Sequence, residues 1–85
     1  MVPKEEFIRR VQNGKKIREI RETFGYSQAE VARRIGISST KYNMYESGGS
    51  ALKPDIIEKL SMFYGFSVDY VLQRGDPPDG EIDRV

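Results

Sequence analysis

Between Ser27 and Glu46 the chain starts a helix, stops it on a glycine and starts another, and few folds accommodate that spacing. Ser27-Gln28-Ala29-Glu30 is a capping box. The Ser27 hydroxyl and the Glu30 carboxylate can each satisfy a backbone N–H that the first helical turn leaves unpaired. Val31, Ala32 and Ile35 follow as the inward positions of that helix, and Gly36 stops it. Ile37 precedes Ser38, a second good N-cap, and a helix runs from there to about Glu46. Its inward positions are expected at Thr40 or the aliphatic part of Lys41, then at Tyr42 and Tyr45; Ser47-Gly48-Gly49-Ser50 breaks it.

The segments on either side are also helical. Ile17, Ile20 and Phe24 are spaced three and four apart, one face of a helix, and Gly25 suits the left-handed position that ends it. Pro54 fits the first position of a fourth helix, with Asp55 favourable at its positive end. That helix reaches Tyr64, turns Ile57, Leu60, Ser61 and Tyr64 inward, and closes at Gly65. Ser67 caps a fifth, from Val68 to about Gln73. Upstream, Phe7, Ile8 and Val11 follow helical spacing, which is consistent with a helical extension from Pro3; Gly14 in its middle leaves open whether residues 1–14 lengthen the first helix, add a separate one broken off at Gly14, or stay loose. Phe7 and Val11 fall away from the Ile17–Ile20–Phe24 stripe and are expected on a different surface, such as one facing a partner chain. Arg74-Gly75-Asp76-Pro77-Pro78-Asp79-Gly80 cannot extend a helix and reads as a mobile, acidic tail. No stretch alternates as a strand would. The expected fold is all-α with five helices, organised as an extension (1–14), a domain (15–73) and a tail (74–85).

Composition narrows the chemistry. The chain has 85 residues, room for one core, and contains neither cysteine nor histidine. That removes disulfides, thiol nucleophiles, zinc–thiolate sites and the commonest general base, and excludes a metalloenzyme or a Ser-His hydrolase. No apolar run approaches the ~18 residues of a spanning helix, and the N-terminus lacks the apolar core of a signal peptide. A cytoplasmic module that works by binding is expected, with no cofactor, no metal and no membrane partner. Its net charge of +1 hides an asymmetry. Residues 15–46 carry seven basic groups against four acidic ones, and residues 76–85 carry four acids against Arg84. A local basic stretch can meet phosphates even when the whole chain is near neutral.

Two short helices joined at a glycine corner make a helix-turn-helix, whose second helix is exposed enough at its N-terminal half to enter a DNA major groove. Three runs then carry a family resemblance. These are Ile17-Arg18-Glu19-Ile20-Arg21 leading to Tyr26-Ser27-Gln28-Ala29-Glu30-Val31-Ala32-Arg33-Arg34-Ile35-Gly36-Ile37-Ser38, then Tyr45-Glu46-Ser47-Gly48, then Tyr64-Gly65-Phe66-Ser67-Val68-Asp69-Tyr70-Val71-Leu72. In order and spacing they resemble the lambda-repressor/Cro-like (XRE-type) family of bacterial and phage regulators, over residues 15–72.

The resemblance implies roles by position. Gln28, Ser39, Thr40, Lys41, Asn43 and Met44 match residues that read bases. Hydroxyls can donate to or accept from base edges, Asn can pair with adenine, and Met or the Thr methyl can touch a thymine methyl. The set has no arginine, the commonest reader of guanine, so a site weighted to A·T is expected. Ser27, Lys16, Tyr26, Gly49, Ser50 and Lys53 match phosphate-facing positions. The loop after the recognition helix departs from the family, which usually has basic residues just after the glycine and a proline four residues on. Here Gly49-Ser50-Ala51-Leu52 precede Lys53 and Pro54, so the grip is expected to rest on backbone N–H groups and Lys53. Arg21 and Glu46 match a salt-bridged pair. Arg33 and Arg34 read better as a solvated surface than as phosphate contacts, Ser38 is explained by capping, and Tyr42 and Tyr45 read as core.

Ile56 and Phe63 add a second apolar face to the fourth helix, and Phe66, Val68, Tyr70 and Val71 follow close by. A surplus apolar face marks an interface, and in this family the C-terminal helices commonly form a two-fold dimer. The expectation is therefore a homodimeric repressor or autoregulator on an inverted-repeat operator of double-stranded DNA, and not an enzyme. Regulation would come from concentration, a partner protein or the tail. The alternative is an antitoxin or interaction module whose main partner is a second protein.

Overall fold

The protein is described here by a computed structural model over residues 3–74. Five helices follow in order: α1 Lys4–Thr23, α2 Gln28–Ile35, α3 Ser39–Ser47, α4 Pro54–Tyr64 and α5 Val68–Arg74, with no strand among the described residues. The tail expected over 74–85 lies, past Arg74, outside the described residues.

The local signals explain where the helices begin and end. Ser27 Oγ accepts from the Glu30 N–H at 3.0 Å while the Ser27 N–H donates to Glu30 Oε1 at 2.9 Å. That reciprocal pair holds the Glu30 carboxyl below its ordinary value. Gly36 ends α2 at φ 80°, a left-handed conformation that side chains with a Cβ adopt only under strain. Ser38 Oγ then accepts from the Lys41 N–H at 3.1 Å and starts α3.

The core consists of Ile17, Val31, Ala32, Ile35, Tyr42, Tyr45, Ile56, Leu60 and Val68. Helices α2 and α3 pack on each other, α1 lies across α3, and α4 packs against both α2 and α5. Several expectations are corrected by this arrangement. Thr40 and Lys41 are exposed, and the side chains of α3 that turn inward are Tyr42, Tyr45 and Glu46. On α4 the buried residues are Ile56 and Leu60, while Ile57 is half-buried, because α4 is covered from two sides rather than one. Phe24 is 49 % exposed instead of lying in the core stripe. Its ring instead edges an aromatic cluster with Tyr64 at 5.2 Å and Phe66 at 6.2 Å, which Tyr26 and Phe63 complete at 5.0 Å from each other.

The largest departure concerns Gly14. Helix α1 runs unbroken through it for 20 residues, so the expected boundary between residues 14 and 15 falls inside one helix. Gly14 is buried where α1 crosses the end of α3. A Cβ there would fall on the carbonyl oxygens of Glu46 and Tyr45, the latter at 2.5 Å. One turn earlier, Val11 packs on Gly48, the left-handed cap of α3. Part of the extension is therefore held by the chain's own α3. Phe7 and Ile8, further along, are exposed.

Candidate nucleic-acid interface

With Tyr42, Tyr45 and Glu46 turned into the domain, α3 presents Ser39, Thr40, Asn43 and Met44 to solvent. At roughly 100° per residue these four lie within about 140° of one another, with Lys41 on the flank. The face is short and polar, with one apolar contact point at Met44, 42 % exposed. The helix that carries it is 9 residues long.

Behind this face lies a single hydrogen-bonded chain. Arg21 Nε donates to Glu46 Oε2 at 2.6 Å and Arg21 Nη2 to Glu46 Oε1 at 3.1 Å, a two-point ion pair from α1 to the end of α3. Arg21 Nη1 also donates to the Tyr26 carbonyl at 2.8 Å, which ties down the corner before α2. Gln28 Nε2 donates to Glu46 Oε1 at 2.9 Å, and Asn43 Nδ2 donates to Gln28 Oε1 at 3.2 Å. The Glu46 side chain is 3 % exposed. Burial would push its carboxyl up, but the bonds from Arg21 and Gln28 outweigh burial and hold it below the usual carboxylate range. The hydrogen bond to Glu46 in turn raises the Arg21 guanidinium further. Burial, and then the Glu46 carboxylate, push the Tyr42 phenol up. Burial likewise pushes Tyr64 up to about 12. Arg21 and Glu46, matched as a pair from sequence, are joined. Gln28 and Asn43, matched as separate readers, are bonded to each other.

The candidate phosphate contacts divide. Ser27 is exposed at the start of α2, where the first-turn N–H groups of Gln28 and Ala29 have no intrahelical partner. Lys53 is exposed and Lys16 half-buried. The Tyr26 ring is packed against Phe63. The loop N–H groups of Gly49 and Ser50, expected to grip phosphate, both donate to the Met44 carbonyl, at 2.9 and 3.2 Å. They close the C-terminus of α3 and are spent there, because a helix end leaves carbonyls that must be satisfied.

A cation that sequence reasoning missed stands beside that loop. Arg10 Nη1 donates to the Gly49 carbonyl at 3.4 Å, and Arg10 Nε is buried without a hydrogen-bond partner. The signal was present in Gly14. A glycine inside a helix marks a close crossing, and residues three and four positions away, Val11 and Arg10, share its face.

The expected dimer residues are mostly occupied within the chain. Ile56 and Val68 are core residues, at 4 % and 0 % exposure, and cannot present themselves to a partner. Phe63 and Phe66 are half-buried in the aromatic cluster, with the Arg34 guanidinium 5.7 Å from the Phe63 ring. Val71 is half-buried and Tyr70 is 59 % exposed. Met62, not singled out from sequence, is 76 % exposed beside a groove that Ile57 and Phe66 line. Among the described residues no cluster of side chains could hold a metal ion, and no helix is long and apolar enough to cross a membrane.

Comparison with known proteins agrees with this geometry. The sequence model of the Helix-turn-helix family matches residues 17–71. The uncharacterized HTH-type transcriptional regulator YobD of Bacillus subtilis is 30 % identical over 69 residues, 81 % of this chain and 62 % of that protein. The HTH-type transcriptional regulator ImmR of the same organism is 33 % identical over 63 residues, 74 % of this chain and 50 % of that protein. The cryptic phage CTXphi transcriptional repressor RstR of Vibrio cholerae is 40 % identical over 53 residues, 62 % of this chain and 48 % of that protein. The matched region thus spans between 48 % and 62 % of the length of these relatives. No solved structure matches the chain.

Proposed function

The chain belongs to the lambda-repressor-like (XRE-type) helix-turn-helix family, and on that premise we propose that it is a sequence-specific DNA-binding transcriptional regulator. Its five helices, the whole of α1 included, form the DNA-binding domain, and α3 enters the major groove. The observation that carries this reading is the outward face of α3: Ser39, Thr40, Asn43 and Met44 exposed together on a helix capped at both ends and anchored through Glu46 to α1. Relatives named as regulators and as a repressor support the regulatory role.

The protein acts as a repressor or autoregulator on an inverted repeat. Its homodimer contact lies on α4 and α5 around Tyr70 and Val71, the part of the expected interface that the fold leaves accessible, together with the exposed Met62. Two recognition helices about 34 Å apart then meet successive major grooves. Lys16, Lys53 and Arg10 supply the phosphate charge, three cations from each protomer.

The test is an anisotropy titration at 50 and 200 mM salt with the DNA upstream of the gene and a scrambled control. Six phosphate contacts per dimer give a slope near −0.9 per contact, so affinity for the native sequence is expected to fall by about a thousandfold between the two salts. Arg10→Ala, which removes two contacts per dimer, should reduce that fall by about tenfold, while Arg10→Lys should restore it. Equal weak binding to both probes refutes sequence specificity. No binding at 50 mM favours the alternative partner, a second protein.

A further inference from the structure

Two side-chain amides that both look like base readers stand in series behind one buried carboxylate, and this carries a consequence for specificity. We propose that Gln28 is a positioning residue rather than a reader: anchored on Glu46, it fixes the amide polarity of Asn43 so that Asn43 presents a carbonyl oxygen and an N–H outward together and selects adenine. The inference deepens the DNA-binding reading above and rests on it.

The argument is one of donors and acceptors. An ionised carboxylate only accepts hydrogen bonds. Glu46 is held ionised by the two-point contact with Arg21, and its Oε1 lies 2.9 Å from the Gln28 amide. Gln28 must therefore turn its Nε2 toward Glu46, since the opposite orientation would set two acceptors against each other at that distance. Its Oε1 then faces α3, where the Asn43 amide lies 3.2 Å away. The same reasoning applies once more: Asn43 must turn its Nδ2 toward Gln28. One amide N–H of Asn43 is used in that bond. The other N–H and the Oδ1 remain on an exposed side chain. That donor–acceptor pair is complementary to N7 and N6 of adenine in the major groove.

Gln28, by contrast, has its carbonyl occupied by Asn43 and one N–H by Glu46. It is half-buried with its amide committed at both ends, to Glu46 and to Asn43, whereas two-point base recognition needs an amide edge turned to the groove. An amide without such an anchor can flip, and a flipped Asn43 would present its groups in the wrong order. The carboxylate at the end of α3 thus sets the orientation of a side chain one turn earlier, through a residue on another helix.

The experiment is selection from a randomised DNA library with the wild type, Asn43→Ala, Gln28→Ala and the double variant, with thermal unfolding of each as a fold check. The wild type should enrich a motif with adenine at one position of each half-site. Asn43→Ala should weaken that preference by about fivefold to a hundredfold. Gln28→Ala should weaken the same position by a comparable factor, and the double variant no further than Asn43→Ala alone. If Gln28→Ala flattens a position of its own, Gln28 is itself a reader and the proposal is overturned. It is equally overturned if the adenine position stays sharp in Gln28→Ala or if Asn43→Ala loses none. A wild type that enriches no sequence removes the DNA-binding reading and the inference with it, whereas a clear wild-type motif isolates any failure to the inference. In the DNA-free protein, the two side-chain amide protons of Asn43 should be inequivalent in exchange rate and become alike in Gln28→Ala; no change there also overturns the proposal.

Discussion

Glu46→Ala is expected to lower the unfolding free energy by about 3–5 kcal/mol, because removing one partner of a buried ion pair leaves the other charge without compensation. The charge left behind is Arg21, whose side chain is 12 % exposed and now bonded only to the Tyr26 carbonyl. Gln28 loses its acceptor in the same step. For a domain whose total stability is of the order of 5–10 kcal/mol, this is a large share. Chemical denaturation is the measurement, with a shift in midpoint at unchanged slope. A loss below about 0.5 kcal/mol, the scale of an exposed pair, would mean that Glu46 does not anchor α3 to α1.

The same residue predicts a pH dependence with a definite sign. In the folded protein the Glu46 carboxyl lies below its ordinary value. Its stabilisation is therefore complete above the unfolded carboxyl's value, about 4.3, and is lost as pH falls through the folded one. Glu46→Gln lacks this titration. Wild type and Glu46→Gln should differ most near neutral pH and converge in acid, as urea midpoints measured from pH 7 down to pH 3 would show. A constant difference across that range would assign the acid limb to other carboxylates.

Gly14→Ala is expected to destabilise the domain by about 2–3 kcal/mol, although alanine is the better helix former by about 1 kcal/mol. Helix propensity and tertiary packing make opposite predictions here, so the sign alone decides between them. The added methyl would meet the backbone carbonyls of Tyr45 and Glu46, and backbone cannot rotate aside as a flexible side chain can. Overpacking of this kind costs about 1–3 kcal/mol, occasionally more. At about 4–8 °C per kcal/mol for a domain of this size, the thermal midpoint should fall by roughly 10–20 °C. An increase would show that α1 does not cross α3 at Gly14. The displacement would also shift Glu46, so DNA affinity should fall together with stability.

These two residues differ in how much of their role the sequence reveals. Glu46 could be matched with Arg21 from spacing and resemblance, and the two are joined in the fold. Its second bond, to Gln28, could not be read, because it depends on the angle between α2 and α3. At Gly14 local propensity weighs against a mid-helix glycine, so the sequence does not choose between a break and one continuous helix. The face of α4 was misjudged for a related reason. Periodicity ranks positions around a single stripe, whereas α4 is covered by α2 on one side and α5 on another. Ile56 and Val68, which the pattern marks as surplus, belong to the chain's own core.

Sequence alone determined the caps of α2 and α3 and the glycine corner between them. All of these depend on groups within a few residues of one another, where the backbone supplies the partners. Only the tertiary structure decided that α1 is one helix clamped over α3 by Gly14 and Gly48, that the Gly49 and Ser50 N–H groups are consumed in closing α3, and that Arg10 stands at that loop. It likewise decided that Gln28 and Asn43 act as one bonded pair. Each depends on contacts between distant segments, whose closeness follows from how whole helices pack and leaves no mark in the local pattern of residues.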